Sequence, residues 1–237
     1  MNAHSASPTF VLVHGAWGGA WTWRDLGAEF DRRRLRWIAV DLPSSRDGAD
    51  PGTSLADDAA AVARIAPLDG PVVLVAHSYG GMVATEVAPA IAQLERIIYI
   101  AALVPALGQS ATDASREVRV RTLLDESIEV DGDFLRLNAA MARGALYGDC
   151  ASEVADWAIA QLSSQTLASF RSARTSSSPG AESLYVKCEN DRAIDPSLQA
   201  TMAARCNGVA SLSSGHSPFL SAPSDLCDLL VESTRFD

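Results

Sequence analysis

Ser78 stands in AHSYGG (76–81), between the β-branched apolar run VVLVAH (72–77) and a stretch rich in small residues. That pattern predicts a tight turn from a buried strand into a helix, with the serine at its crest and strained backbone at the serine itself. Small residues are needed two before and two after it, and Ala76 and Gly80 supply them, with alanine standing where the commonest form of the motif has glycine. The plain alternative is a glycine-rich helix start that serves packing alone. A serine hydroxyl is a poor nucleophile unless a base takes its proton and a third group holds the base, so the chemical reading needs partners elsewhere in the chain.

The chain has four histidines. His4 is in the N-terminal tail, His14 belongs to the end of the first apolar run, and His77 adjoins the serine with its side chain expected to turn away. His216 in SSGHSPFL remains, on a loop after the last expected strand, where it is the candidate base. The carboxylate should lie on CENDRAID (188–195), which offers Glu189, Asp191 and Asp195. Asp191 is preferred because it is on the loop crest. Glu189 is close to the strand, and Asp195 before Pro196 reads as a helix N-cap. A tetrahedral oxyanion needs two backbone N–H donors. Tyr79, after the serine, would give one, and Ala16 in HGAW (14–17) the other.

These residues need a scaffold that brings four loops to one edge. TFVLVH (9–14), RWIAVD (36–41), VVLVAH (72–77), RIIYIA (96–101), SLYVKC (183–188) and VASLSS (209–214) read as near-continuous apolar strands, as a parallel sheet covered on both faces requires. Helical patterns lie between them at 20–34, 54–66, 79–92, 195–205 and 223–233. The order predicts a doubly wound α/β core from 1–104 and 183–237. About eighty residues separate the fourth and fifth strands, too many for a structureless loop. Segments 114–124, 133–146 and 152–162 look helical, so 105–182 is expected to be an inserted helical cap.

With 237 residues, 48% hydrophobic and 20% charged, the chain can bury a sizeable core, which excludes a disordered or disulfide-stapled protein. Its length exceeds a ~150-residue soft prior for one domain by roughly 90. The formal net charge of −10 argues against nucleic acid as a partner and, over long range, favours a neutral substrate. Arg32, Arg33, Arg34 and Arg36 read as the solvated end of a helix. No window has the ~18 apolar residues of a membrane span. The apolar stretch from Phe10 has no basic region before it and no small-residue cleavage pattern after it, so no secretory leader is expected and the expected compartment is the cytoplasm. Cys150, Cys188, Cys206 and Cys227 form no C-x-x-C pair and are expected to be reduced, with neither zinc nor a redox role.

The chain resembles the α/β-hydrolase superfamily, and within it the group of plant methyl salicylate and methyl jasmonate esterases, hydroxynitrile lyases and related bacterial esterases. FVLVHGAWGGAWTW (10–23), VVLVAHSYGGMVAT (72–85), YIAALVPALGQS (99–110), LYGDCASEVADWAIAQL (146–162), YVKCENDRAI (185–194) and SGHSPFLSAP (214–223) carry the resemblance. It implies a triad of Ser78, Asp191 and His216, oxyanion donors Ala16 and Tyr79, a cap over the substrate pockets, and chemistry without a cofactor. Gly15 and Ser217 stand where related lyases carry Thr or Asn and Lys, so a small ester is expected as substrate and hydrolysis as the reaction. The rivals are lyase or tailoring chemistry on the same scaffold, or a ligand receptor. Trp17, Met82, Leu103, Trp157 and Phe219 flank the motifs or fall in the cap, and are expected to line an apolar pocket. A homodimer is compatible with the sequence.

Overall fold

The computed structural model describes residues 7–177 and 180–234, so His4 lies outside the described residues. Six parallel strands form the main sheet: β1 (Thr9–Val13), β2 (Arg36–Ala39), β3 (Val72–His77), β4 (Leu94–Ile100), β8 (Glu182–Cys188) and β9 (Gly208–Leu212). Their order is β2-β1-β3-β4-β8-β9. Every residue of β1 and β3 is buried, whereas the edge strands β2 and β9 are partly open, as their mixed sequences anticipate. Helices α2 (Leu55–Ile65), α3 (Gly80–Val87) and α9 (Pro196–Ala203) contribute Leu55, Val83 and Leu198 to one core, with Val11 and Leu74 from the sheet. On the other face α1 (Arg24–Arg32), α10 (Pro218–Ser221) and α11 (Pro223–Ser233) bury Phe30, Phe219 and Leu226 with Phe10 and Val75. This is the six-stranded, helix-flanked parallel sheet expected from the sequence.

The strand order reverses between β1 and β3, where connections leave in opposite directions and a crevice opens at the carboxyl ends of the strands. Ser78 follows β3 and Ala16 follows β1 at that switch point. Asp191 and His216 come from the loops after β8 and β9. Gly80 lets α3 approach β1, since a Cβ there would be 2.6 Å from the carbonyl oxygens of Val13 and His14.

The segment between β4 and β8 differs from the all-helical expectation. It holds the short helices α4 (Ala111–Ser115), α5 (Leu123–Ser127), α6 (Ala139–Leu146), α7 (Ser152–Gln161) and α8 (Leu167–Arg171), together with a three-stranded antiparallel sheet. The strands are β5 (Ile128–Asp131), β6 (Phe134–Leu137) and β7 (Gln165–Thr166), in the order β5-β6-β7. The expected helix at 133–146 starts only at α6, with Asn138 as its N-cap, because Phe134–Leu137 pair with β5 across a two-residue turn. Gly132 supplies the positive φ of 59° in that turn. The expected helix at 114–124 ends at Ser115, and 119–122 have no regular structure. Its alternation of Val118 and Val120 with Arg119 and Arg121 has the period of extended chain. Helices α6 and α7 bury Ala142, Leu146, Ala155 and Ala158 in the same core as α1 and α11.

The 2.6 Å approach at Gly80 gives a direct test. Gly80→Ala should lower unfolding stability by about 1–3 kcal/mol, measured by urea denaturation, because the opposing atoms are backbone and cannot swing aside.

Candidate active site

Ser78 has φ +52°, a left-handed conformation that costs a β-substituted residue about 1–3 kcal/mol. The strain is fixed from both sides. The Ser78 amide donates to the Ile100 carbonyl (3.2 Å), and its own carbonyl accepts from the amides of Gly81 (3.1 Å) and Leu103 (3.0 Å). The turn hands the chain to α3 with Tyr79 at the N-cap, whose amide has no partner among the described residues.

His216 and Asp191 are both buried, at 1% and 8% exposure, and His216 Nδ1 is 2.8 Å from Asp191 Oδ2. The same carboxylate takes hydrogen bonds at Oδ1 from the amides of Ala193 (2.7 Å) and Ile194 (3.0 Å), and at Oδ2 from Gln199 Nε2 (3.3 Å). A buried carboxylate so surrounded is fixed in orientation and fixes the imidazole in turn. Asp195 instead caps α9 by accepting from the Ser197 amide (2.8 Å), and Glu189 is exposed. The His216 loop is held by two further groups. Asp149 Oδ2 accepts from the Gly215 amide (2.5 Å), and His77 Nε2–H donates to the His216 carbonyl (2.9 Å). Burial, then the neighbouring His216, drives the His77 pKa well below its ordinary value, so this ring acts as a neutral donor. His216 and Ser78 line one small cavity of about 20 Å³ with Gly15, Ala16 and Phe219.

The loop after β1 is anchored by His14. Its Nε2 accepts from the Leu42 amide (3.1 Å), which leaves Nδ1–H to donate to the Gly15 carbonyl (2.7 Å). Burial lowers its pKa to about 4, so the ring stays neutral. Trp17 is held at φ +61°. Its amide donates to Gln165 Oε1 (3.3 Å), its indole N–H to the Leu135 carbonyl (3.0 Å), and its carbonyl accepts from the Ser163 amide (3.0 Å). All three partners lie in the segment inserted between β4 and β8. The Ala16 amide has no partner among the described residues.

Gln165 extends this clamp, donating from Nε2 to Ser44 Oγ and Ser169 Oγ (2.7 Å each). Ser44 Oγ donates to Asp58 Oδ2 (2.5 Å), which also accepts from Tyr79 Oη (2.7 Å). The Tyr79 ring stacks on Phe170 at 5.2 Å and 9°. Buried hydrogen bonds therefore connect the loop after β1, the residue after Ser78 and the inserted segment. Sequence reasoning missed Asp58, Gln165 and this role of His77. A signal existed for Asp58, which is on the Leu55, Ala59, Val62 face of α2, where a carboxylate must find buried partners.

Of the expected pocket residues, Trp17 and Leu103 line a cavity of about 80 Å³ with Ser78, Tyr79, Phe170 and Ile194, and Phe219 lines the smaller one. Met82 is fully buried in the core formed by α2 and α3, and Trp157 packs edge-on against Trp21 beneath the Arg24 guanidinium. Neither lines the cavities beside Ser78. Their spacing fitted a pocket, but helix facing turned one into the core and the other away. All four cysteines are free, and burial raises the Cys188 thiol to about 12. Among the described residues no helix is long and apolar enough to cross a membrane.

A family model described as alpha/beta hydrolase family matches residues 10–229. The alpha/beta hydrolase nvfD of Aspergillus novofumigatus is 28% identical over 245 residues, covering 96% of this chain and 95% of that protein. Methylesterase 7 of Arabidopsis thaliana is 26% identical over 257 residues, covering 94% and 95%. Among solved structures, polyneuridine aldehyde esterase superposes with a TM-score of 0.80 at 20% identity, covering 97% of this chain and 100% of that one.

Asp58 gives the network a pH signature. Burial raises its pKa from 3.8 to about 6, while burial lowers that of His14 from 6.5 to about 4. As pH falls from 6 to 4 the folded state takes up the Asp58 proton before the unfolded chain does, which adds stability. Neutral buried His14 loses stability over much the same window, so the two oppose each other. Asp58→Asn removes only the first. On acidification from pH 7 to 4 the variant should lose up to about 3 kcal/mol relative to the parent, from ~1.4 kcal/mol per pH unit, by urea unfolding at each pH.

Proposed function

The chain belongs to the alpha/beta hydrolase family, and from that premise and the geometry above we propose that it is a serine hydrolase cleaving a small, largely apolar carboxylic ester. The observation that carries this reading is the buried 2.8 Å bond between His216 Nδ1 and Asp191 Oδ2, in a loop whose imidazole shares a cavity with Ser78. With Nδ1–H committed to the carboxylate, Nε2 is the nitrogen that takes the Ser78 proton as Oγ attacks the ester carbonyl. Negative charge then develops on the carbonyl oxygen, and the unpartnered amides of Ala16 and Tyr79 are the donors that receive it. His216 returns the proton to the leaving alcohol. Water, deprotonated by the same imidazole, cleaves the acyl-enzyme and restores Ser78. Asp191 stays ionised throughout and stabilises the imidazolium. Every role falls to a group of the chain, so the reading calls for no metal or organic cofactor.

The segment 105–182 acts in this reading as a cap. It closes over Ser78 through Leu124, Phe170 and Val118, and it holds Trp17 in the conformation that exposes the Ala16 amide. Esterase names among the relatives support the reaction class, and the polar anchoring of both oxyanion loops supports hydrolysis by acyl transfer.

A fluorophosphonate probe tests the assignment. One equivalent should attach at Ser78, found by peptide mass spectrometry, with labelling and p-nitrophenyl ester turnover both lost in Ser78→Ala and His216→Ala. Asp191→Asn should cut kcat by about 10⁴ by leaving the imidazole in the wrong tautomer. A folded protein that neither labels nor turns over any ester would overturn the reading.

A further inference from the structure

Next to the cavity beside Ser78 is a larger outer chamber of about 750 Å³. The two share Ser115, Val118, Val120, Asp125, Ile128 and Phe170 as walls, so they adjoin. The outer chamber is apolar along Val130, Leu135 and Leu167, and its remaining charged lining is four arginines, Arg116, Arg119, Arg121 and Arg171.

Several arginines of this acidic chain are ion-paired. Arg32 and Arg33 pair with Glu29, Arg33 also with Asp228, Arg143 with Asp156, and Arg205 with Glu117. None of the four chamber arginines has an ion pair or side-chain hydrogen bond among the described residues. Arg34, Arg46, Arg64 and Arg192 also have neither among the described residues, but none of them lines this chamber. Three carboxylates of this segment already have partners, while Glu126 beside Asp125 has none among the described residues. Glu117 is held bidentately by Arg205 (2.8 and 2.6 Å), and Asp113 accepts from Ser110 Oγ (2.6 Å). Asp125, the one acid in the chamber wall, accepts from the amide and hydroxyl of Thr122 (2.8 and 2.9 Å). Hydrogen bonds from Ser110, with a smaller contribution from the Arg116 charge, hold the Asp113 carboxyl below the usual range. Four exposed cations without protein partners, lining a chamber that adjoins the cavity at Ser78, match an apolar chain that ends in an oxyanion.

Resting on the esterase reading of Ser78, we propose that the substrate class is an ester carrying an oxyanion, such as a carboxylate, separated from the scissile bond by an apolar spacer, with Arg116, Arg119, Arg121 and Arg171 binding that anion. This reverses the expectation of a neutral substrate drawn from the net charge of −10. The Debye length is about 8 Å at physiological ionic strength, so the distant surface charge is screened while guanidiniums in contact with the ligand are not. Charge-assisted and often bidentate arginine–carboxylate bonds supply the recognition. The phosphate or sulfate of a substrate would be read by the same groups.

The test compares p-nitrophenyl monoesters of linear dicarboxylic acids, adipate to sebacate, with p-nitrophenyl esters of monocarboxylic acids of matching length. The expected kcat/KM ratio of anionic to neutral ester is about tenfold or more at low salt, peaking at one spacer length and falling as NaCl is raised. In Arg116→Gln/Arg119→Gln and Arg121→Gln/Arg171→Gln the ratio should fall toward one. Because the readout is a ratio within each variant, a general loss of activity cancels. Turnover of neutral esters with a ratio of one or less at every spacer overturns the anion site and leaves the esterase reading standing. So does a ratio of one in a protein whose neutral-ester rate responds to free adipate or inorganic phosphate, since the arginines would then serve a separate anion. Failure to label Ser78 with a fluorophosphonate, with no turnover of either series, removes both.

Discussion

Ser78, directly after β3, and Trp17, in the loop after the adjacent parallel β1, are held at positive φ, as are Arg34 and Ala101. Much of the molecule answers to the first two. Left-handed backbone at a bulky residue is unfavourable by about 1–3 kcal/mol, so each must be over-determined by its surroundings. At Ser78 the constraint comes from the sheet, through Ile100, and from the start of α3. At Trp17 it comes from the inserted segment, through Leu135, Ser163 and Gln165. One strained turn is stabilised by the core fold and the other by what was added to it.

That division gives the inserted segment a second job. A lid that only excluded water could be joined to the core by apolar contact alone, yet this one reaches Asp58 and the Tyr79 hydroxyl through Gln165 and Ser44. Buried polar chains of this kind are directional, and a half-made network costs more than an apolar contact of the same size. The seating of the segment and the posture of the two loops are consequently linked. The His216 loop follows the same logic, drawn toward Ser78 by Asp191, His77 and Asp149 from three different elements.

Charge has two scales in this protein. The summed charge is strongly negative, and seven arginines are ion-paired where they stand. Four of the arginines without partners among the described residues share the lining of one cavity, where Glu117 and Asp113 are bound to other partners. Contact electrostatics therefore contradict the sign of the whole surface, and at ordinary ionic strength the contacts decide.

The six strands of the core and all its helices but the four-residue α10 were legible from sequence because burial on both faces writes a near-continuous apolar run, and an amphipathic helix writes its own period. The order of the candidate residues along the chain was legible for a related reason, since the loops that follow parallel strands all emerge at one edge. Asp191 could be preferred over Asp195 because Pro196 marks a helix start. The hairpin at 128–137, the facing of Met82 and Trp157, and the partners of Gln165 were not legible. Short polar strands carry no strong period, and which side of a helix meets a cavity depends on neighbours far off in the chain. The arginines were visible as letters from the start. What only the tertiary structure decided is that they lie together without partners, because being unpaired is a relation to every other charge and has no signature in local sequence.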